Sequence, residues 1–178
     1  MVCNWSFLVS VGNSQDHQIK VGTNALAEAW GVNLLEYSCA NEPHKVIASL
    51  PKEEGIVRCL GDAAKHQSYG GSWLEALGAW RLPTILIVVP SSSGELPGSA
   101  CAYVALCESL SVPLVGIVQF GGDWNPVDRR LDGLPWCGWL PLDGQSHLMN
   151  TAPFSRNNNI IAEDIVFILQ QRIVNLNL

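Results

Sequence analysis

The chain has 178 residues and a formal net charge of −6, and its lysines and arginines form no cluster. This balance argues against nucleic-acid binding, which needs a basic face. The length fits a single domain spanning residues 1–178. Apolar residues make up 48% and charged residues only 15% of the chain, whereas about a quarter is charged in an ordinary soluble domain. We therefore expect much of the surface to be neutral or to be buried against a protein partner.

The cysteine pattern indicates neither a disulfide framework nor a zinc site, since no two cysteines form a CxxC pair. We interpret all six as small buried hydrophobic residues in a reducing, cytoplasmic compartment. They are Cys3, Cys39, Cys59, Cys101, Cys107 and Cys137. The first residues lack a basic segment and a cleavage site, so we expect no signal peptide. No apolar run reaches the roughly 18 residues of a membrane helix, and we expect no membrane contact.

In chain order, Trp5–Val11 predicts a first strand that ends at Gly12, and a polar loop then leads to a short helix over Asn24–Trp30. Residues 40–54 are polar and poorly periodic. Three further elements are predicted before residue 82: a strand at Asn33–Tyr37, a strand at Gly55–Leu60 and a helix at Ser72–Trp80.

The clearest pattern lies in the middle of the chain. Thr84–Val89 is an unbroken apolar run, typical of a strand buried on both faces of a parallel sheet. A serine-rich loop, an alanine-rich helix over Ala100–Leu110 and a second apolar run after Pro113 complete a βαβ unit. We therefore predict that strands 84–89 and 114–119 are parallel, adjacent and central.

Near the end of the chain, Trp136–Leu140 predicts a last short strand, residues 143–159 an irregular excursion, and Ile160–Val174 an amphipathic helix. Its predicted core residues are Ile161, Ile165, Ile168, Leu169 and Ile173. Alternating strands and helices predict a three-layer α/β fold with a mainly parallel sheet. Ligands of such sheets bind beyond the carboxyl ends of the strands. Four predicted loops lie there: residues 12–23, 61–71, 90–98 and 121–132.

The order of elements in the second half of the chain is a strand, a loop, a helix and two glycine-containing strands, as in dethiobiotin synthetases. The segments that show this order are Leu82–Val89, Val112–Val118 and Leu134–Pro141. Over residues 72–141, and more loosely 5–30, the chain resembles this family and the cobyrinic-acid-synthase type of P-loop domain. The resemblance implies the P-loop NTPase fold and a homodimer. An active member would be an ATP- and Mg²⁺-dependent carbon–nitrogen ligase of biotin biosynthesis.

The family's phosphate loop, G-x4-G-K-[ST], joins the first strand to the first helix. The equivalent stretch here runs from Gly12 to Thr23, and Lys20 is the candidate for the motif lysine. Ile19 replaces the glycine before the lysine and Val21 replaces the Mg²⁺-binding hydroxyl, so the loop is degenerate. A side chain at that glycine would keep the backbone away from phosphate.

A second family feature is a glutamate that helps to hold the metal ion after a central strand. Arg58 stands at that position, and Asp62 is the nearest carboxylate and a candidate cap for the turn. The chain before this point is also several dozen residues shorter than the family's. Together these departures predict that the chain has no magnesium-dependent ATPase activity.

Other candidate binding residues follow the predicted strands 84–89 and 114–119. Ser91, Ser92 and Ser99 flank the amino end of a predicted helix and could hold an anion, although Ser99 could equally be an N-cap. Asp123 lies in a charged loop that approaches the nucleotide base in the resembling family. Seven tryptophans and few charges favour a protein contact, with a two-fold homodimer as the default. We expect the contact at the tryptophan-rich C-terminal region, with Trp124, Trp136 and Trp139, or at an exposed helix face.

Three hypotheses for function remain. The first is a degenerate, non-catalytic relative of dethiobiotin synthetase that acts through protein contacts or senses a small ligand. The second is an active ligase of that type. The third is an unrelated flavodoxin-like binding domain.

Overall fold

The computed structural model describes residues 4–12, 16–91, 94–142 and 156–176. Within these ranges the chain forms one sheet of six strands, all parallel, in the order β2-β3-β1-β4-β5-β6. The strands are β1 (Trp5–Val11), β2 (Asn33–Ser38), β3 (Gly55–Leu60), β4 (Thr84–Val88), β5 (Leu114–Phe120) and β6 (Trp136–Leu140). The predicted α/β class is confirmed. The order differs from the 2-1-3-4-5 order of flavodoxin-like domains.

Six helices connect or follow the strands within the part of the chain that the structure describes. They are α1 (Asp16–Trp30), α2 (Pro43–Ser49), α3 (Trp73–Ala79), α4 (Ser99–Ser109), α5 (Pro126–Leu131) and α6 (Arg156–Asn175). No helix in these ranges has the length and apolar character needed to cross a membrane.

The helices cover the sheet on two faces, each with its own core. Side chains of α1 and α6 pack on one face with alternate residues of the strands, including Leu8, Ile85 and Ile87. Side chains of α2, α3 and α4 pack on the other face, against residues such as Phe7 and Leu86. We call these the α1–α6 face and the α3–α4 face. Two helix layers around one sheet make a three-layer domain.

The βαβ prediction for the middle of the chain is confirmed. β4 and β5 are adjacent and parallel, and all five residues of β4 are buried. β5 is covered by β6, so neither strand lies at an edge. A strand with neighbours on both sides and helices on both faces meets little water, which is why these runs contain no alternating polar residues.

The predicted boundaries failed where polar residues occur in helices. α1 begins at Asp16, not at Asn24, because the apolar side of the helix already starts at Ile19, which is buried. α2 occupies part of the stretch that looked aperiodic, and α5 lies inside the loop predicted after β5. α6 begins at Arg156, while the rest of the predicted excursion, residues 143–155, lies outside the described residues.

Two β-bulges bring α6 close to the sheet. The pairing of β4 with β5 skips Val115, and the pairing of β5 with β6 skips Cys137. Each bulge is followed by a glycine that leaves room for α6. A methyl group on Gly116 would stand 2.6 Å from Arg172 Nη1, and one on Gly138 would stand 2.7 Å from Ile165 Cγ1.

Arg172 of α6 binds the main chain at these bulges. Its Nη1 donates to the carbonyl oxygens of Val115 at 3.2 Å and Pro135 at 3.0 Å, and its Nη2 donates to that of Trp136 at 2.7 Å. A bulge interrupts the regular ladder of hydrogen bonds between strands. The guanidinium, with five N–H donors in a planar fork, supplies donors to carbonyls at this interruption.

Some burial predictions were wrong because helical spacing does not say how wide the covered side of a helix is. In α3, Trp73 is fully buried, whereas Trp80 at the C-cap of the same helix is 44% exposed. On α6, Ile165 and Leu169 are buried, whereas Ile168 is 39% exposed. Cys101 is exposed, although Cys39, Cys59, Cys107 and Cys137 are buried as predicted.

Candidate functional site

The carboxyl ends of β1 and β4 lie side by side at the centre of the sheet. From here the chain after β1 continues toward β2 on one side of the sheet, and the chain after β4 continues toward β5 on the other side. This is the position at which open α/β sheets bind ligands. The segments after the two strands touch: a methyl group on Gly12 would stand 3.1 Å from Pro97 Cβ and 3.5 Å from Ser99 Oγ. Gly12 has a φ of 82°, a conformation that favours glycine.

An ion-pair network around one buried arginine lies beside this position, at the amino end of α1. Arg58 is an interior residue of β3, and its side chain is only 4% exposed. Its Nη1 donates to Glu36 Oε1 of β2 at 2.7 Å, and its Nη2 forms an ion pair with Asp16 Oδ1 in the first turn of α1. The same Nη2 also donates to the Asp16 carbonyl oxygen at 3.4 Å.

Sequence reasoning identified Arg58 but neither of its partners. Glu36 is opposite Arg58 in the pairing of β2 with β3, so correct strand neighbours would have revealed the first ion pair. Asp16 could not be found because its segment was predicted to be a loop. An acidic residue in the first turn of a helix is itself favourable, since it interacts with the positive end of the helix dipole.

Lys20 and Thr23 do not lie in a phosphate-binding loop. Both are inside α1, more than a helical turn beyond Asp16, and Lys20 is exposed to solvent. The hydroxyl of Thr23 is buried and donates to the carbonyl oxygens of Ile19 at 2.7 Å and Lys20 at 3.1 Å. The hydroxyl is therefore hydrogen-bonded within its own helix, as is common for buried threonines in helices.

The serine-rich segment after β4 forms a turn held by its own main chain. The Ser91 N–H donates to the Glu95 carbonyl at 2.8 Å, and the Gly94 N–H donates to the Ser91 carbonyl at 2.9 Å. The N-cap of α4 is Gly98, which makes no side-chain capping bond, and Ser99 is the first helical residue. The N-cap alternative for Ser99 was therefore wrong. Ser92 lies outside the described residues.

The turn after β3 is ordered by Asp62, as the sequence predicted. Asp62 Oδ1 accepts hydrogen bonds from the Ala64 N–H at 2.9 Å and from the Tyr103 hydroxyl at 2.5 Å. Burial and the bond to this carboxylate raise the pKa of Tyr103 above its ordinary value. The arrangement ties the β3 turn to α4, so the Asp62 carboxylate is already used as a structural acceptor.

A second cluster surrounds Arg129 beside the carboxyl end of β5 and the first residue of β6, and it contains Trp124 and Trp136 of the tryptophan-rich region, whose contact with Arg129 sequence reasoning did not predict. Its guanidinium lies 5.0 Å from the ring centroid of Trp136 and 5.8 Å from that of Trp124, and the two rings meet edge to face. Gln119 is fully buried, accepts from Arg129 Nε at 3.3 Å and donates to the Asp123 carbonyl at 2.9 Å. Cation–π contacts of this kind fix the loop rather than leave the arginine available.

The structure therefore brings Gly12 and Ser99 together, and it places Lys20, Thr23 and Asp123 in separate local settings. Asp123 itself is exposed and follows β5. Throughout the described ranges, no group of three or more His, Cys, Asp or Glu side chains is placed to hold a metal ion. No protein-family model matches the chain.

Proposed function

We propose that this chain is a non-catalytic domain of dethiobiotin synthetase-like architecture that acts through contacts with protein chains. One observation carries the proposal: the Arg58–Asp16 ion pair occupies the amino end of α1, where a phosphate-binding enzyme of this type would hold its nucleotide. The exposed apolar residues of α6 support the second half, since contiguous exposed apolar surface marks contact sites.

The chemistry of phosphoryl transfer explains why this ion pair matters. Such enzymes hold phosphates with main-chain N–H groups and a lysine, and they neutralise the developing charge with Mg²⁺. Here the first turn of α1 presents the carboxylate of Asp16, which repels phosphate, and the neighbouring cation Arg58 is already paired. Thr23, the nearest hydroxyl to Lys20 along the helix, is bonded to main-chain carbonyls.

Sensing of a small anionic ligand is the second candidate function. It is favoured by the crevice between β1 and β4, where Ser99 lies beside Gly12 and α4 begins without a side-chain cap. Uncapped N–H groups at a helix amino end bind anions. Inorganic phosphate and sulfate, titrated into the protein separately from nucleotides, test this candidate.

Calorimetry with ATP, ADP and Mg²⁺, together with a phosphate-release assay, tests the main proposal. We expect neither magnesium-dependent binding nor turnover. Turnover that disappears in Lys20→Ala but persists in Lys52→Ala would overturn the proposal and favour the ligase hypothesis. Lys52 is the matched control because it is also exposed but precedes β3, so it lies at the amino ends of the strands and not at their carboxyl ends. A yellow, flavin-containing preparation would instead favour a flavodoxin-like function.

A further inference from the structure

The outer side of α6 carries an apolar stripe made of Ile160, Phe167 and Val174, which are 52%, 62% and 70% exposed. The three residues are seven positions apart, so they fall on one side of the helix, two turns from each other. Ile168, 39% exposed, extends the stripe beside Phe167. The inner side of α6 is already used, because Ile165, Val166 and Leu169 are buried in the core.

Among the described residues, four of the seven exposed large apolar side chains lie on α6; the other three are Trp80 at the C-cap of α3 and Val127 and Leu131 on α5. The neighbouring helix α1 covers the same face of the sheet, and its exposed residues are all polar: Asp16, His17, Lys20, Asn24 and Glu28. A surface helix normally has a polar outer side of this kind. Within the part of the chain that the structure describes, the α6 stripe is therefore an unpartnered surface of a folded helix, and it contains most of the exposed large apolar residues.

We propose that the stripe binds the same stripe of a second copy of this chain, with the two α6 helices antiparallel about a two-fold axis at Phe167. This inference rests on the proposed function and deepens it, since it names the protein partner. Under that symmetry, Phe167 meets Phe167 of the second copy, and Ile160 meets its Val174. A self-complementary contact of this kind closes as a dimer.

Hydrogen-bond complementarity and the separation of like charges favour the antiparallel arrangement with a copy of this chain as the occupant. The stripe is flanked by two acids in its first half, Glu163 and Asp164, and by two amides in its second half, Gln170 and Gln171, all four exposed. In the antiparallel pair, Glu163 faces Gln170 and Asp164 faces Gln171 of the second copy, and amides can donate hydrogen bonds to carboxylates. A parallel pair would set the two acidic turns side by side, which is unfavourable.

The strength of the contact follows from its size. α6 has 20 residues, so it is about 30 Å long. One helix pair of this length lies at the small end of specific interfaces, so we expect a dimer that forms at micromolar concentrations and dissociates on dilution.

Sedimentation velocity and light scattering test the proposal. For the unaltered chain we expect a mass near twice 19.3 kDa at about 100 µM and a shift toward 19.3 kDa at about 1 µM. Phe167→Glu should be monomeric throughout. Leu131→Glu is the matched control, since Leu131 is 79% exposed on α5, away from the stripe, and it should dimerise normally. Circular dichroism and thermal melting check that both variants fold.

Disulfide cross-linking tests the direction of the helices in a Cys3→Ser, Cys101→Ser background, which removes the exposed thiol of the described residues and the cysteine that lies outside them. Phe167→Cys should cross-link to itself under mild oxidation, and Ile160→Cys should cross-link when mixed with Val174→Cys. A monomeric unaltered chain, a dimer insensitive to Phe167→Glu, or efficient self-linking of Val174→Cys would overturn the proposal. None of these outcomes depends on ATP, so failure here and failure of the proposed function are distinguished.

Discussion

On the α3–α4 face the sheet packs against hydrocarbon and aromatic side chains, of which Trp73 and Leu77 are fully buried. The α1–α6 face also has a hydrophobic core, but it buries the charged Arg58 and places Arg172 against main-chain carbonyls. The first face is stabilised mainly by area removed from water, whereas the second also depends on directed polar contacts.

The two arginines differ in the groups that accept their hydrogen bonds. Arg58 is paired with carboxylates that reach solvent, with Asp16 81% and Glu36 36% exposed. Arg172 is bonded to carbonyl groups of the protein main chain, which are fixed in place by the bulges. Loss of the arginine therefore has different consequences, because exposed carboxylates can be hydrated and partly buried carbonyls cannot.

The largest effect is expected at Arg172. We predict that Arg172→Met lowers the free energy of unfolding by about 3 kcal/mol, because buried acceptors that lose their donor cost roughly 1–3 kcal/mol each. The cost falls mainly on Trp136, since the Pro135 carbonyl also accepts from the Ile117 N–H at 2.9 Å and the Val115 carbonyl also accepts from the Cys137 thiol at 3.8 Å. Urea unfolding measures the change.

Arg130→Met is the matched control for this substitution. Arg130 is exposed on α5 and its Nε donates to the Pro126 carbonyl at 3.2 Å, so it makes the same kind of bond in the presence of water. We expect a change within about 0.5 kcal/mol there. Equal losses in the two variants would show that the bulge contacts contribute nothing beyond an ordinary surface bond.

In the Arg58 network, we expect that removing the two carboxylates costs more stability than removing the arginine. We predict that the double variant Asp16→Asn, Glu36→Gln costs about 2 kcal/mol, because it leaves a buried guanidinium without a counter-charge. Arg58→Met should cost less, about 1 kcal/mol or below, since methionine fills the space and the carboxylates become hydrated. Both values come from urea unfolding at neutral pH. A larger loss in Arg58→Met than in the double variant would contradict this account.

The difference between the faces also explains what the sequence could predict. Unbroken apolar runs identified β4 and β5 because a strand buried on both faces needs no other information. The Val115–Gly116 and Cys137–Gly138 pairs were visible as part of the family-like pattern, but their role was not. Bulges and the arginine that binds them are 57 and 36 positions apart in the chain, and only the folded sheet brings them together.

The candidate site was predicted less well than the fold. Its place at the carboxyl ends of the strands followed from the α/β class alone. The ion pair of Arg58 with Asp16 joins residues 42 positions apart, and it was hidden by the wrong start of α1. Propensity did not favour that start, since Ile19, Val21 and Thr23 are β-branched and Gly22 is glycine, yet packing of the helix on the sheet overrode it.

The smallest expected effect is a loss of stability at alkaline pH, and it can be compared between the two faces at one buried thiol on each. Cys107 belongs to the α3–α4 core and Cys137 to the α1–α6 core. Burial raises the pKa of both thiols from 9.0 to about 11, with Glu108 adding to the effect at Cys107 and Arg172 opposing it at Cys137. The folded chain therefore keeps these protons at a pH where the unfolded chain releases them. The stability that these two thiols contribute should be fully present below pH 9 and should be lost as the pH rises from 9 toward 11. The loss at pH 10 should be about 1 kcal/mol per thiol.

Urea unfolding at half-unit steps of pH measures the slope, and Cys107→Ala and Cys137→Ala should each reduce it by a similar amount, whatever their cost at neutral pH. A slope unchanged in both variants would assign the alkaline loss to other groups whose pKa is raised, such as Cys59, which is buried and hydrogen-bonded with Cys39, and Tyr103.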